Sequence, residues 1–352
     1  PESFGGSRNW DYRYCWLRDA ALTLGALIEA GFTDEATLWR DWLLRAVAGD
    51  PEDLQIMYGV DGARRLPEIE LDHLPGYEDS TPVRVGNDAV GQLQHDVFGE
   101  VMDALARVRE HATDPDGNAW SLQRALVGSL LEHWEEPDRG IWEVRGEPQH
   151  FTHSKAMAWV AVDRAVRAVE TYGLEGDVER WREVRDLVRA EVLEHGYDEE
   201  RGTFVQHYGS SEVDASLLQL AAFGFIEGDD PRMLGTIRAI EEDLMRDGLV
   251  LRLGARQHLL EVPSGLGQRV GDEGQGRDVT HPELLADLRA QQALGRLQRR
   301  GRRGELLLLV GGRAEDGVED RGLLAVAGDP DVGDGDEAEA RVLDPALEHL
   351  GH

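Results

Sequence analysis

A chain of 352 residues can hold one large domain or two, and its formal charge of −32 repels phosphate backbones and anionic membranes, so neither nucleic acid nor a membrane is an expected partner. Cys15 is the single cysteine, which excludes internal disulfides and speaks against a cysteine-held zinc site; no metal and no cofactor are expected. No apolar run reaches the roughly 18 residues of a membrane span.

The opening stretch from Gly5 to Asp19 (Gly-Gly-Ser-Arg-Asn-Trp-Asp-Tyr-Arg-Tyr-Cys-Trp-Leu-Arg-Asp) packs aromatic rings, guanidiniums and carboxylates more densely than a core segment needs. It reads as a wall for a polar ligand rich in hydroxyls: sugar rings rest an apolar face on Trp or Tyr, and paired Arg and Asp bracket the hydroxyl fringe. Leu22, Leu24, Leu27 and Ile28 then mark a short helix ending near Gly31, and Thr33 is the expected cap of the next, which carries Leu38, Trp42 and Leu43. From Pro51 to Gly86 the density of Gly, Pro and Asp predicts a long excursion of the active-site-loop kind.

Val90, Leu93, Val97, Val101, Leu105 and Val108 keep the helical period, with Asn87 or Asp88 as N-cap. Leu122, Leu126, Leu130 and Leu131 predict a helix ending near Trp134, and Met157, Val160, Val162 and Val166 another after a loop from Glu135 to Thr152. A further helix carries Val178, Trp181, Val184, Val188 and Val192 and stops at Gly196; Gly202 to Val205 suggests a short strand. Leu217, Leu218 and Leu220 give a short helix, and Asp230-Pro231 starts the one through Ile237, Ile240 and Leu244. Eight helices with no parallel-strand series argue an all-α assembly of stacked hairpins.

Past residue 253 the composition changes. Phe225 is the last Phe, Trp or Tyr, and after Leu253 there is no Ile, Met, Asn or Lys, while Gly and Arg crowd into stretches such as Gly271 to Arg277 and Arg299 to Gly304. Such a segment makes a poor core. Glu305 to Val310 and Pro345 to Leu350 are expected to form at most local structure, and Gly328 to Glu339 to be disordered. Residues 254–352 read either as an out-of-frame translation of a GC-rich gene or as a natural acidic tail. Lys155 is the only lysine, a bias that codon usage, salt adaptation or both produce. The chain opens on Pro1 with no visible signal peptide, so a missing natural start and a cytoplasmic location are the expectations.

Three blocks stand out in order: the opening stretch, Pro82 to Asn87 (Pro-Val-Arg-Val-Gly-Asn), and Gly140 to Gly146 (Gly-Ile-Trp-Glu-Val-Arg-Gly) leading into His150 to Lys155 (His-Phe-Thr-His-Ser-Lys). Over about residues 1–253 they resemble glycoside hydrolase family 15, the glucoamylases, glucodextranases and a bacterial trehalase branch. The resemblance implies an (α/α)6 toroid of six hairpins, incomplete here at both ends, and an inverting exo-hydrolase releasing glucose from the non-reducing ends of an α-glucan or α-glucoside. It implies Glu143 as general acid, with Trp142 beside it excluding water, and Arg18 and Asp19 as the pair that grips the terminal glucose. Lys155 is expected to line the site, and Trp10, Trp142, Arg84 and Asn87 to stack on the sugar or meet its hydroxyls. His150 and His153 are expected to pack. The family's general base lies in a late block with no match here, which leaves an impaired hydrolase or, alternatively, an inactive fragment or pseudoenzyme with residual carbohydrate binding. Oligomeric state leaves no mark in the sequence.

Overall fold

The computed structural model describes residues 1, 4–47, 54–111, 117–246 and 248–253, and the backbone of 305–313 and 319–327. The chain divides into two units, Pro1–Val279 and Thr280–His352. Among the described residues of the first, eight α-helices follow one another: α1 Leu17–Glu29, α2 Thr33–Ala46, α3 Asp96–His111, α4 Gly117–His133, α5 Thr152–Tyr172, α6 Val178–His195, α7 Gln219–Ala222 and α8 Pro231–Leu244. Strands in this unit are two-residue ladders inside loops, such as Cys15–Trp16 against Met57–Tyr58 and Tyr197–Asp198 against Thr203–Phe204, the latter within the short strand expected near Gly202. The all-α reading holds.

Helices α1, α3 and α5 lie side by side, and α2, α4 and α6 back them. The division follows from composition. Every residue of α5 from Thr152 to Asp163 is buried, as an inner helix requires, whereas α6 buries only the stripe Trp181, Val184, Val188 and Val192. Helices α3 and α5 approach closely at Gly99, where an added Cβ would lie 2.4 Å from the Met157 carbonyl oxygen. The expected start at Asp230-Pro231 is met, Asp230 accepting from Arg232 N at 2.9 Å with Pro231 in the first turn; Asp177, not singled out from the sequence, caps α6 by accepting from Arg180 N.

Three boundaries differ from the periodicity, and two of them shape the site. Helix α1 begins at Leu17, ahead of Leu22, so Arg18 and Asp19 stand on its first turn. Asn87 does cap, but it caps a 3-10 turn, Asp88–Gly91, whose Ala89 N donates to its side chain at 3.0 Å. The chain then leaves helical geometry, extended at Gln92 and irregular through Gln94, before α3 starts at Asp96. Thr33 is the first residue of α2 and not its cap, which is Phe32.

In the second unit Glu305–Arg313 pairs antiparallel with Glu319–Ala327, so local structure does form at Glu305 to Val310. Residues 254–304, the Gly328 to Glu339 repeats and Pro345 to Leu350 lie outside the described residues. Among the described residues no helix is long and apolar enough to cross a membrane.

Candidate active site

The N-terminal ends of α1 and α3 and the loop before α5 converge on one guanidinium. Arg18 Nη1 lies 3.3 Å from both Gln94 Oε1 and Asp96 Oδ2, and its Nη2 lies 3.5 Å from Glu143 Oε1 and from Asp19 Oδ2. A cation as buried as this one needs such partners to offset its lost hydration. Burial alone would weaken its hold on the proton, but Asp96, Asp19, Glu143 and Glu100 outweigh that, and Arg18 stays firmly charged. Both Asp19 and Asp96 sit in the first turn of a helix, where free N–H groups favour anions.

Glu143 is delivered by a tight loop. Gly140, at φ +66°, turns the chain against the Phe151 ring, and its carbonyl accepts from Glu143 N at 3.1 Å, while Arg139 O accepts from Val144 N at 3.1 Å. Glu143 itself is left-handed, φ +56°, a conformation that costs a side-chain-bearing residue about 1–3 kcal/mol and persists only where neighbours hold it. The neighbours are visible: Trp16 Nε1 donates to Glu143 Oε1 at 2.6 Å, and Gln92 Nε2 donates to the Glu143 carbonyl at 3.4 Å. Burial pushes the Glu143 carboxyl above the ordinary range and Asp19 adds to this; Arg18 and the Trp16 hydrogen bond pull the other way without cancelling it. The result is a carboxylic acid that keeps its proton to higher pH than a free glutamate.

The tryptophan on the acid is therefore Trp16, not Trp142 as sequence adjacency suggested. Trp142 is tied elsewhere: its Nε1 donates to both oxygens of Asp214, at 3.0 and 2.9 Å, and Arg252 lies 5.0 Å from its ring centre. Asp19 is the one partner of Arg18 with a largely exposed side chain, 69 %, and so is open to a ligand. Tyr12, also exposed, and Tyr14 pack near Trp16 with ring centres 5.7 and 6.2 Å away, which gives the site an aromatic wall.

Other residues singled out from the sequence have framework duties. Trp10 carries the guanidiniums of Arg145 and Arg84 at 4.0 and 4.8 Å from its ring centre. Arg84 is further engaged by Glu68, Glu70 and the Ser7 carbonyl, so it braces the opening stretch. Asn87 is buried, with Nδ2 donating to Asp11 O and Oδ1 accepting from Ala89 N, so its amide serves the framework. Lys155 does not line the site as expected. Its side chain is buried, Nζ donates to the carbonyls of Trp134 and Glu136, and burial lowers its proton affinity: it ties down the chain at the end of α4. His150 stacks on Tyr208, and His153 Nε2 lies 2.7 Å from Gln219 Oε1. Among the described residues no group of His, Cys, Asp and Glu is arranged to hold a metal.

Four members of the site were not singled out: Trp16, Gln92, Gln94 and Asp96. Trp16 stands two positions from Arg18 and was visible as part of the aromatic stretch. Asp96 and the two glutamines had no local signal, because they read as the middle of a helix that in fact begins later. Asp11 is another organiser. Its carboxylate accepts from Arg13 Nε and Nη2, Tyr14 Oη and Gly86 N, and these bonds, Arg13 foremost, hold it well below the usual carboxylate range.

The model for glycosyl hydrolases family 15 matches residues 1–262. A trehalase from Mycobacterium tuberculosis is 44% identical over 280 residues, 78% of this chain and 40% of the relative. A trehalase from Thermoplasma volcanium is 37% identical over 252 residues, 72% of this chain and 40% of the relative. The chain thus spans well under half the length of these relatives. A solved glycosidase variant in complex with glucose superposes with a TM-score of 0.55 at 22% identity, covering 68% of this chain and 64% of that one, which shows a common fold.

Proposed function

The chain belongs to glycosyl hydrolases family 15, and from that premise we propose that it cleaves α-glucosidic bonds with inversion, releasing glucose from the non-reducing end, with α,α-trehalose as its first substrate and maltooligosaccharides or dextran as the competing ones. The trehalases among its relatives support the choice. The observation that carries the reading is the Glu143 carboxyl, held by Trp16 Nε1 at 2.6 Å and beside Arg18 at 3.5 Å, with its proton affinity raised by burial.

In this mechanism Glu143 protonates the glycosidic oxygen as the bond to the anomeric carbon breaks. A second carboxylate, about 6.5–9.5 Å from the first, takes a proton from the water that attacks the opposite face. Arg18 and Asp19 bracket the hydroxyls of the terminal glucose, and the exposed Tyr12 ring, backed by Trp16, receives its apolar face. We assign no described residue to the second carboxylate. Residues 254–352 contain no stretch resembling the family's closing block, so the proposal is of a hydrolase whose turnover is impaired for want of that base.

The test is glucose release from trehalose, maltooligosaccharides and dextran by the whole chain and by Glu143→Gln, at low and high salt. Turnover of trehalose above the other two, reduced about 10²- to 10⁴-fold in the variant, is expected of a general acid. Release that the variant leaves unchanged would remove Glu143 from the chemistry. No release at all, with saturable binding of trehalose, would make the chain a carbohydrate-binding protein and not an enzyme.

A further inference from the structure

Gln92 and Gln94 lie outside the blocks that carry the family resemblance, yet they connect the two groups on which the proposed chemistry depends. Arg18 Nη1 donates to Gln94 Oε1 at 3.3 Å, Gln94 Nε2 donates to Gln92 Oε1 at 2.9 Å, and Gln92 Nε2 donates to the Glu143 carbonyl at 3.4 Å. The guanidinium also lies 3.5 Å from the Glu143 carboxyl, so the path closes into a ring: side chain to side chain directly, and guanidinium to backbone through two amides.

The direction of this path is fixed at both ends. A guanidinium can only donate and a backbone carbonyl can only accept, so each amide must turn its oxygen toward Arg18 and its nitrogen toward Glu143. Either amide reversed would set donor against donor. An amide also relays the connection without charge. A carboxylate at position 94 would add a further anion to Asp19, Asp96 and Glu143 around one guanidinium. The path has a mechanical purpose as well: Gly140 O anchors the amide side of the left-handed Glu143, and Gln92 is the group that anchors its carbonyl side.

We propose that Gln92 and Gln94 are positioning residues, a two-amide strut that sets the Glu143 backbone at a fixed place relative to Arg18, so that the group gripping the sugar and the group protonating its glycosidic oxygen share one geometry. This rests on the general-acid role proposed for Glu143. Gln94 is buried, and Gln92 is half-buried at the edge of a groove of about 510 Å³ that also involves Leu93, Asp138, Arg139 and Arg145. Gln92 is only half-buried and lines that groove, so its amide can be replaced by a side chain of similar length without opening a void in the core.

The experiment uses the whole chain with ¹⁵N-labelled tryptophan indoles. The Trp16 Nε1–H signal, identified by its loss in Trp16→Phe, reports the Glu143 carboxyl directly and titrates with it, independently of turnover. Gln92→Met is expected to lower kcat on trehalose roughly 10- to 100-fold, the scale of a displacement of about 1 Å, with KM within about twofold. It should also move both the Trp16 signal and its titration midpoint. Gln94→Met, which also removes one of the four partners of Arg18, should lower kcat and raise KM together. Gln92→Glu keeps the acceptor for Gln94 Nε2 but offers the Glu143 carbonyl no donor, so it should behave as Gln92→Met does; it and Gln94→Glu carry the test if a methionine variant does not fold. Wild-type kcat and an unmoved Trp16 titration in the Gln92 and Gln94 variants would overturn the strut, as would a loss of thermal stability alone. If the wild-type chain releases no glucose, the functional reading fails by itself, and the Trp16 titration still decides for or against the strut.

Discussion

Burial raises the proton affinity of Glu143 and the nearby Asp19 carboxylate raises it further, while Arg18 and the Trp16 indole lower it. Neutralising Asp19 removes one upward push. Asp19→Asn is therefore expected to lower the Glu143 pKa and move the alkaline limb of the kcat/KM profile to lower pH. The shift should stay below about one pH unit, because Asp19 is 69 % exposed and water and salt screen it. The same change should raise KM by removing a hydroxyl partner, and pH–rate profiles in dilute buffer separate the two effects; an alkaline limb that moves upward would mean that Asp19 does not act on Glu143 through its charge. At this scale the sequence was informative where residue type and family block coincided. Arg18 and Glu143 are found side by side. It misled where a role depends on which way a side chain leaves the backbone: Trp142 is adjacent to Glu143 in sequence and bonded to Asp214, while Trp16, 127 positions away, holds the acid. Lys155 misled for a related reason, since its place in a family block does not say whether its head group faces a site or the end of a helix.

Helix α3 joins the site to the core, and two substitutions test how. At Gly99 an added Cβ would meet the Met157 carbonyl oxygen at 2.4 Å, backbone against backbone, so α3 and α5 must separate to admit it. Gly99→Ala is expected to destabilise the fold by about 1–3 kcal/mol despite alanine's better helix propensity, read as a lower midpoint in urea at unchanged slope. One turn from Asp96, the buried Glu100 has its proton affinity raised well above the ordinary range, by burial first and then by Asp96 and Asp103. The sign follows directly. A carboxyl whose folded pKa exceeds its unfolded one stabilises the fold in its protonated form, and that contribution is lost as pH rises from the ordinary carboxylate range through the folded value. Glu100→Gln cannot ionise, so its stability relative to the wild type should grow across that window and level off above it; a difference independent of pH would show that Glu100 does not titrate there. Helix existence was legible throughout, from apolar spacing alone. The start of α3 was not, because Val90 and Leu93 continue the period by coincidence through a 3-10 turn and an irregular segment, and that segment is what carries Gln92 and Gln94 to Arg18.

For the molecule as a whole we propose a catalytic region over 1–253 followed by a compositionally foreign stretch over 254–352, whose reading frame is settled by sequencing the locus on both strands: an uninterrupted authentic frame across residue 253 would remove the out-of-frame reading. The charge balance yields a prediction about the folded chain itself. With 69 acidic against 37 basic residues, net repulsion opposes the compact state. Salt acts on two populations of charge with opposite signs. It weakens exposed attractive pairs such as Arg182–Glu170, but these contribute little to stability in any case. Buried pairs such as Arg18–Asp96 and Arg164–Asp103 are hardly screened. What remains is relief of the general repulsion, so the thermal midpoint should rise with KCl. Screening also predicts the shape of the rise: most of it should be complete by about 0.15 M, where the Debye length has fallen to about 8 Å. A midpoint that climbs steadily toward molar salt would instead report exclusion of salt from the protein surface, and the same climb would then be steeper in sulfate than in chloride. A midpoint indifferent to salt would show that the acidic excess is spread too thinly to strain the fold, leaving codon bias as the explanation for a chain with one lysine.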